Sequence, residues 1–177
     1  MKSSFKNFLS SAKVLFVPTF SILVLVILLY IPRSNDYWNF LRQAPFYIGI
    51  YFWQSQRPDA FNVISAFILG LFADVLGGVP LGINIMTFLV LYLLSAQCSQ
   101  RFNVKRFSYS WLLFSGIIFI TILLKAILIS IFYRQLVPLT SLMMEWLLTV
   151  ALFPLMARIF IWVEKQYIHL EERYEKV

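Results

Sequence analysis

The chain has 177 residues, of which 60% are hydrophobic and 13% charged, with 15 Lys+Arg against 8 Asp+Glu. Soluble domains carry about 45–50% apolar and ~25% charged residues, and one of this size cannot hide so large an apolar share in a single core. A soluble globular domain and a disordered chain are excluded. So is a nucleic-acid surface, because the basic residues stand in short clusters between apolar runs rather than along one face.

Residues 14–32, 75–100 and 107–124 contain no Asp, Glu, Lys or Arg, and apolar runs of about 18 or more read as membrane spans. Proline punctuation at Pro32, Pro45, Pro58, Pro80 and Pro138 divides the chain into six predicted helices. The first covers 14–31. Lys2, Lys6 and Lys13 precede it, but Leu15–Ile31 outruns a signal-peptide core and no Ala-x-Ala site follows, so it reads as a retained span. Residues 32–43 read as an external loop, with Tyr37 and Trp38 suited to an interfacial aromatic belt. The second segment, 44–56, is weak: Pro45–Gln56 would rise only ~18 Å against a hydrocarbon core of ~30 Å. The third, 59–77, spans only if Asp74 is tolerated. The fourth, fifth and sixth, at 81–98, 109–133 and 137–163, are long enough. Residues 1–163 thus form a single six-helix transmembrane domain, all-α and polytopic. Residues 164–177 continue the last helix as a cytoplasmic tail, where Tyr167, Leu170, Tyr174 and Val177 form one stripe suited to the headgroups or to a partner.

Six spans with a cytoplasmic N-terminus put eleven basic residues inside and three outside (Arg33, Arg42 and Arg134), with Lys125 in the membrane. If the second segment does not span and the N-terminus lies outside, the split is ten to four. The lysines flanking the first helix favour six spans.

Asp74, Lys125 and Glu145 fall inside spans, at comparable depth in the outer half. Ionisable groups there cost several kcal/mol unless paired or hydrated, so an Asp74–Lys125 or Glu145–Lys125 pair is expected. Such a cluster fixes helix register, lines an externally open cavity, or contributes to an ion path. Ala66, Gly70, Asp74, Gly78 and Gly82 recur every fourth position. This small-residue face allows close backbone approach, to a helix of the same bundle, a partner's span or a second copy. Gly77 and Gly78 with Pro80 make the following turn. Arg101, Lys105 and Arg106 read as a cytoplasmic basic loop, anchoring topology and meeting anionic lipid. The single histidine, His169, lies in the tail and Cys98 is alone, so no metal site, cofactor site or nucleophilic triad is expected. Asp74 and Glu145 lack any accompanying substrate-positioning motif, and no enzymatic activity is expected.

Gly70-Leu71-Phe72-Ala73-Asp74-Val75-Leu76-Gly77-Gly78-Val79-Pro80-Leu81-Gly82, with the apolar run to Leu91-Tyr92-Leu93, resembles the signature of the rod-shape-determining protein MreD family. Pro45-Phe46, Tyr51-Phe52-Trp53 and Arg57-Pro58 resemble that family's second segment. Pro154 with Arg158 resembles its last helix. The chain departs at Gln43-Ala44, where relatives often place Arg-Pro. The resemblance implies a multi-pass protein of the bacterial inner membrane with both termini cytoplasmic. It would be a non-enzymatic scaffold of the cell-elongation complex that binds MreC, alongside MreB, RodZ, RodA and its penicillin-binding transpeptidase. It also implies a six-helix bundle similar to the substrate-binding subunits of energy-coupling-factor transporters, so a vitamin-binding subunit is the alternative. Those subunits dock through small residues on the first helix, whereas Val17–Ile31 here has Ser21 but no alanine or glycine.

Overall fold

A computed structural model describes residues 17–28, 37–101 and 107–175, the side chains of 37–41, 107 and 167–175 excepted. The described residues form six helices and no strand: α1 Val17–Leu28, α2 Tyr37–Gln56, α3 Val63–Gly77, α4 Ile83–Arg101, α5 Phe107–Tyr133 and α6 Leu139–Glu175. Among them, Ile83–Arg101, Ser108–Tyr133 and Leu139–Gln166 are long and apolar enough to cross a membrane, and α1 and α3 are shorter apolar helices. The outward faces are apolar too. Leu112 is 72% and Val75 66% exposed, and Ile127 and Leu147 are likewise open. In water such continuous apolar surface would drive association; in hydrocarbon it is ordinary. The architecture is therefore compatible with a polytopic membrane protein.

The second segment departs most from expectation. Residues 37–43 are not loop but the first part of α2, and Pro45 lies inside the helix rather than at its head. At 20 residues, α2 rises ~30 Å, close to the thickness of a hydrocarbon core. Unwinding the chain around Pro45 would strip several backbone groups of their partners, whereas keeping the helix loses one hydrogen bond; apolar surroundings favour the helix. Residues 44–54 are buried without a break, three turns with no face left open.

This makes α2 the pillar of the bundle. It packs on α4 and α6, while α3 packs on α4, and α5 on α4 and α6. Phe46 and Tyr47 meet Phe88 of α4, and Tyr51 meets Phe114 of α5 and Phe153 of α6. Phe114 and Phe153 stack with ring centroids 4.5 Å apart, and Phe52 stacks on Phe160 at 5.5 Å. Gly49 admits α1: a Cβ there would lie 2.5 Å from Ile22 Cγ1 and 3.1 Å from Phe160 Cζ. Trp53 Nε1 also donates to Ser21 Oγ at 3.2 Å, tying α1 to the pillar.

Local chemistry sets the helix ends. Asn62 caps α3, its side chain accepting from Ser65 N at 3.0 Å, so the helix starts at Val63 rather than 59. Gly78 ends α3 in the left-handed conformation at φ 60°, a position open to glycine at little steric cost. Pro138 O accepts from Ser141 N at 3.0 Å at the head of α6.

The helix α6 is 37 residues long and contains Pro154. Proline has no N–H for the carbonyl four residues earlier, which here is that of Val150. Trp111 of α5 fills the gap, its Nε1 donating to Val150 O at 3.1 Å. A second indole, Trp146 Nε1, donates to Ser115 O at 3.0 Å in the opposite direction. The α5–α6 pair is thus stitched by two tryptophans, one of which repairs the proline break.

Trp111→Phe is expected to cost about 1 kcal/mol by orphaning the Val150 carbonyl. In a Pro154→Ala background, where the new alanine restores the intrahelical N–H, the same substitution should cost clearly less. Reversible unfolding in detergent, run as a double-mutant cycle, measures that coupling.

Candidate functional site

The α5–α6 hairpin turns at 134–138, so residues a few turns either side of it share a depth. Lys125 and Glu145 are such a pair, and their side chains meet: Nζ lies 2.8 Å from Glu145 Oε1, both about nine-tenths buried. From α2, Gln43 and Tyr47 reach the same point. They are four residues apart and so share a face. Gln43 Oε1 accepts from Lys125 Nζ and, at 3.0 Å, from Tyr47 OH. Tyr47 OH also lies 3.3 Å from Glu145 Oε1, so one phenolic proton is shared between two acceptors. The ammonium stands 6.0 Å from the Tyr47 ring centroid, at the outer limit of a cation–π contact. Thr149 Oγ1 donates back to the Glu145 carbonyl at 2.7 Å.

Desolvating two ions costs several kcal/mol each, offset only when geometry and extra hydrogen bonds are good. Here one cation, one anion, one amide and one phenol from three helices answer one another. The cluster can fix the relative rotation of α2, α5 and α6. Lys125 Nζ, Glu145 Oε1, Gln43 Oε1 and Tyr47 OH each find a partner within the cluster.

Asp74 stands apart from this cluster, so the expected three-residue group divides in two. Its carboxylate is buried and accepts from Gly82 N at 2.7 Å through Oδ2 and from Asn84 N at 2.8 Å through Oδ1. These N–H groups belong to the start of α4, where the first turn leaves donors without intrahelical partners and the helix dipole favours negative charge. Asp74 is thus a cap supplied by the preceding helix. Spacing reveals depth along the spans, but not the direction in which each side chain faces.

The small-residue face divides in the same way. Gly70 is a contact residue: a Cβ would lie 2.6 Å from Ile85 Cα, so α3 and α4 touch backbone to backbone there. Ala66 is fully buried in α3. Gly78 and Gly82 have nothing within 4 Å of a built Cβ and instead carry φ of 60° and 111°. Their role is turn conformation rather than packing, and Gly77 has only Val79 Cγ2 at 3.7 Å. Residues 70–84 are therefore one hairpin: a close crossing, a left-handed stop, a tight turn and a carboxylate cap.

Of the basic loop, Arg101 is exposed at the end of α4; Lys105 and Arg106 lie outside the described residues, as do the side chains of the tail stripe. Cys98 is a free, partly buried cysteine, and the described residues contain no group of three or more His, Cys, Asp or Glu able to hold a metal. Three features escape a reading of the sequence. Gln43 and Tyr47 fall there in a loop and in a weak segment, although Gln43, Tyr47, Tyr51 and Ser55 recur every fourth residue, and Tyr51 OH donates to Ser110 O at 2.9 Å. At the far end, Arg57 Nε pairs with Glu164 Oε1 at 3.2 Å, joining α2 to α6. An open apolar groove between α5 and α6, lined by Leu123, Ala126, Ile127, Ile131 and Leu142, offers one hydroxyl, Ser130.

Comparison with known proteins identifies no relative: no family model, no curated protein and no solved structure matches the chain.

Lys125→Met, which strands Glu145, should destabilise the bundle by about 3 kcal/mol, while the Lys125→Met/Glu145→Gln double variant should recover part of that loss. Asp74→Asn replaces one of two acceptor oxygens by a donor and should cost about 1–3 kcal/mol. It should be additive with Lys125→Met, since the two sites share no partner. Thermal unfolding in detergent checks both the magnitudes and the additivity.

Proposed function

We propose that the chain is a non-enzymatic scaffold of the MreD type in the bacterial inner membrane, binding MreC and helping to organise lateral peptidoglycan synthesis and rod cell shape. The six-helix bundle would be of the kind found in energy-coupling-factor substrate-binding subunits, with both termini in the cytoplasm. The observation that carries this reading is that residues 70–82, on which the family resemblance rests, coincide with one physically defined unit. Gly70, Asp74, Gly78 and Gly82 each meet a requirement of the α3–α4 hairpin that other residue types meet poorly.

The interior fits a scaffold better than a carrier of ligand or an enzyme. The ionisable groups buried in it are engaged with one another or with backbone. The rings of Tyr51, Phe114 and Phe153 occupy the space between α2, α5 and α6. Against the vitamin-binding alternative also stands α1, whose sequence lacks the small residues of that docking mode.

Because Ala66 and Gly70 face inward, a transmembrane partner on α3 meets its other side. There Ile64, Ile68, Leu71 and Val75 are exposed and share one stripe at i, i+4, i+7 and i+11. RodA, its transpeptidase, MreB and RodZ are further members of the same proposed assembly.

Affinity purification from bacterial membranes tests the reading. MreC is expected to co-purify with the chain and to be lost from an Ile68→Trp/Val75→Trp variant that keeps its unfolding temperature. Recovery of an ATPase module with a bound vitamin, and no MreC, would replace the scaffold by the transporter subunit.

A further inference from the structure

We propose that α6 carries a binding site for an anionic phospholipid, built from Arg158, Trp162 and Lys165 where the helix leaves the bundle. The three residues stand at i, i+4 and i+7, within a ~60° arc of the helix and a rise of ~10 Å. All three are exposed, Trp162 by 64%. Ala151 precedes them on the same arc and Leu155 lies ~20° beyond its edge; both are exposed and apolar, Leu155 by 57%. Along the helix the order is therefore apolar surface, guanidinium, indole, ammonium. A phospholipid presents a matching order along the membrane normal: acyl chains, glycerol, then phosphate and headgroup.

Charge complementarity identifies the occupant. Neither Arg158 nor Lys165 has an acidic partner among the described residues, and the acid nearest to Lys165 in sequence, Glu164, is turned away to Arg57 just beyond α2. A guanidinium on an apolar helix face, with Leu155 before it and Ile159 beside it, is expensive in hydrocarbon unless an anion meets it. A planar fork and an ammonium two turns apart can hold one phosphate between them, and an indole with an apolar body and a polar edge belongs at that level. A soluble phosphate would leave the Ala151–Leu155 surface and the Trp162 ring unused, so the ligand is a lipid. The site does not depend on the scaffold reading: it requires only that α6 crosses the membrane.

The test uses the full-length chain, purified in a neutral detergent and exchanged with phosphatidylglycerol or phosphatidylcholine. Native mass spectrometry counts the retained lipids. The wild-type protein should retain phosphatidylglycerol in preference to phosphatidylcholine, and inorganic phosphate should not displace it. Arg158→Gln/Lys165→Gln should reduce that preference roughly 10–30-fold, as two basic groups near an anionic surface imply, with the unfolding temperature unchanged. Arg158→Lys/Lys165→Arg should restore most of it, and Arg101→Gln should leave it intact. Equal retention of the two lipids by the wild-type chain overturns the proposal. So does an undiminished preference in the Gln double variant, or displacement by inorganic phosphate or by an acidic peptide in place of lipid.

Discussion

The bundle depends on one constraint: α2 is buried on every side along its middle turns. A helix at the edge of a membrane bundle can leave any polar group facing its neighbours and any apolar group facing lipid. A helix enclosed by others must have its polar atoms answered from the surrounding helices. On α2 this matching recurs level by level. Gln43 and Tyr47 are answered by Lys125 and Glu145, Tyr51 by Ser110, Trp53 by Ser21, and Arg57 at the exit by Glu164. Gln54 Oε1 and Ser55 Oγ, in the last turn, have no such answer from the protein. Aromatic rings fill the intervals, and Gly49 provides the space in which Ile22 of α1 lies. The rotations of α1, α5 and α6 about the pillar follow from these contacts.

The same constraint explains what the sequence concealed. Hydropathy identifies helices that face lipid, so α4 and α5 were legible from charge-free runs and α6 from the length of its apolar segment. An enclosed helix can carry Gln43, Tyr47 and Gln54, which lower its hydropathy below that of a lipid-facing span. That is why α2 looks short and weak in sequence. Pro45 compounds the error, because a proline marks a helix end in water but is tolerated within a helix when the alternative is bare backbone in hydrocarbon. Gly49 is a lone glycine whose meaning lies in a residue 27 positions earlier, and Trp111 serves Val150 across 39. Local pattern cannot reveal partners at such distances.

The hairpin from Gly70 to Asn84 was the most legible part, because its requirements are local. A left-handed stop, a tight turn and a carboxylate eight residues before the amide it caps all fall within one window of sequence. Even so, spacing groups residues that the structure separates. Asp74 shares a depth with Lys125 in the predicted topology, yet its negative charge is better placed at a helix N-terminus, where two N–H groups were already without partners. Pairing it with Lys125 instead would have left the start of α4 uncapped and Glu145 without its cation.

The ion pair itself is a costly way to join two helices, since an apolar pair of similar volume often gives equal or greater stability. Its distinctive property is direction. An apolar contact in a lipid-facing bundle tolerates rotation, because lipid is as apolar as leucine, whereas a buried ammonium strands itself if α5 or α6 turns. On α6, Glu145 and Glu164 are separated by 19 positions, a rise of ~28 Å, and Pro154 stands near the midpoint between them. One carboxylate is held by α5 and α2 at one end, and the other by Arg57, just beyond α2, at the far end. The proline is the weak point of the rod between two clamps, and the Trp111 indole reinforces it. Fixed at both ends and stitched in the middle, α6 holds its orientation where it leaves the bundle, and its helical extension runs on from that point to Glu175. The proposed scaffold role would draw on such a fixed projection, since a framework holds partners in register only if its own helices do not turn.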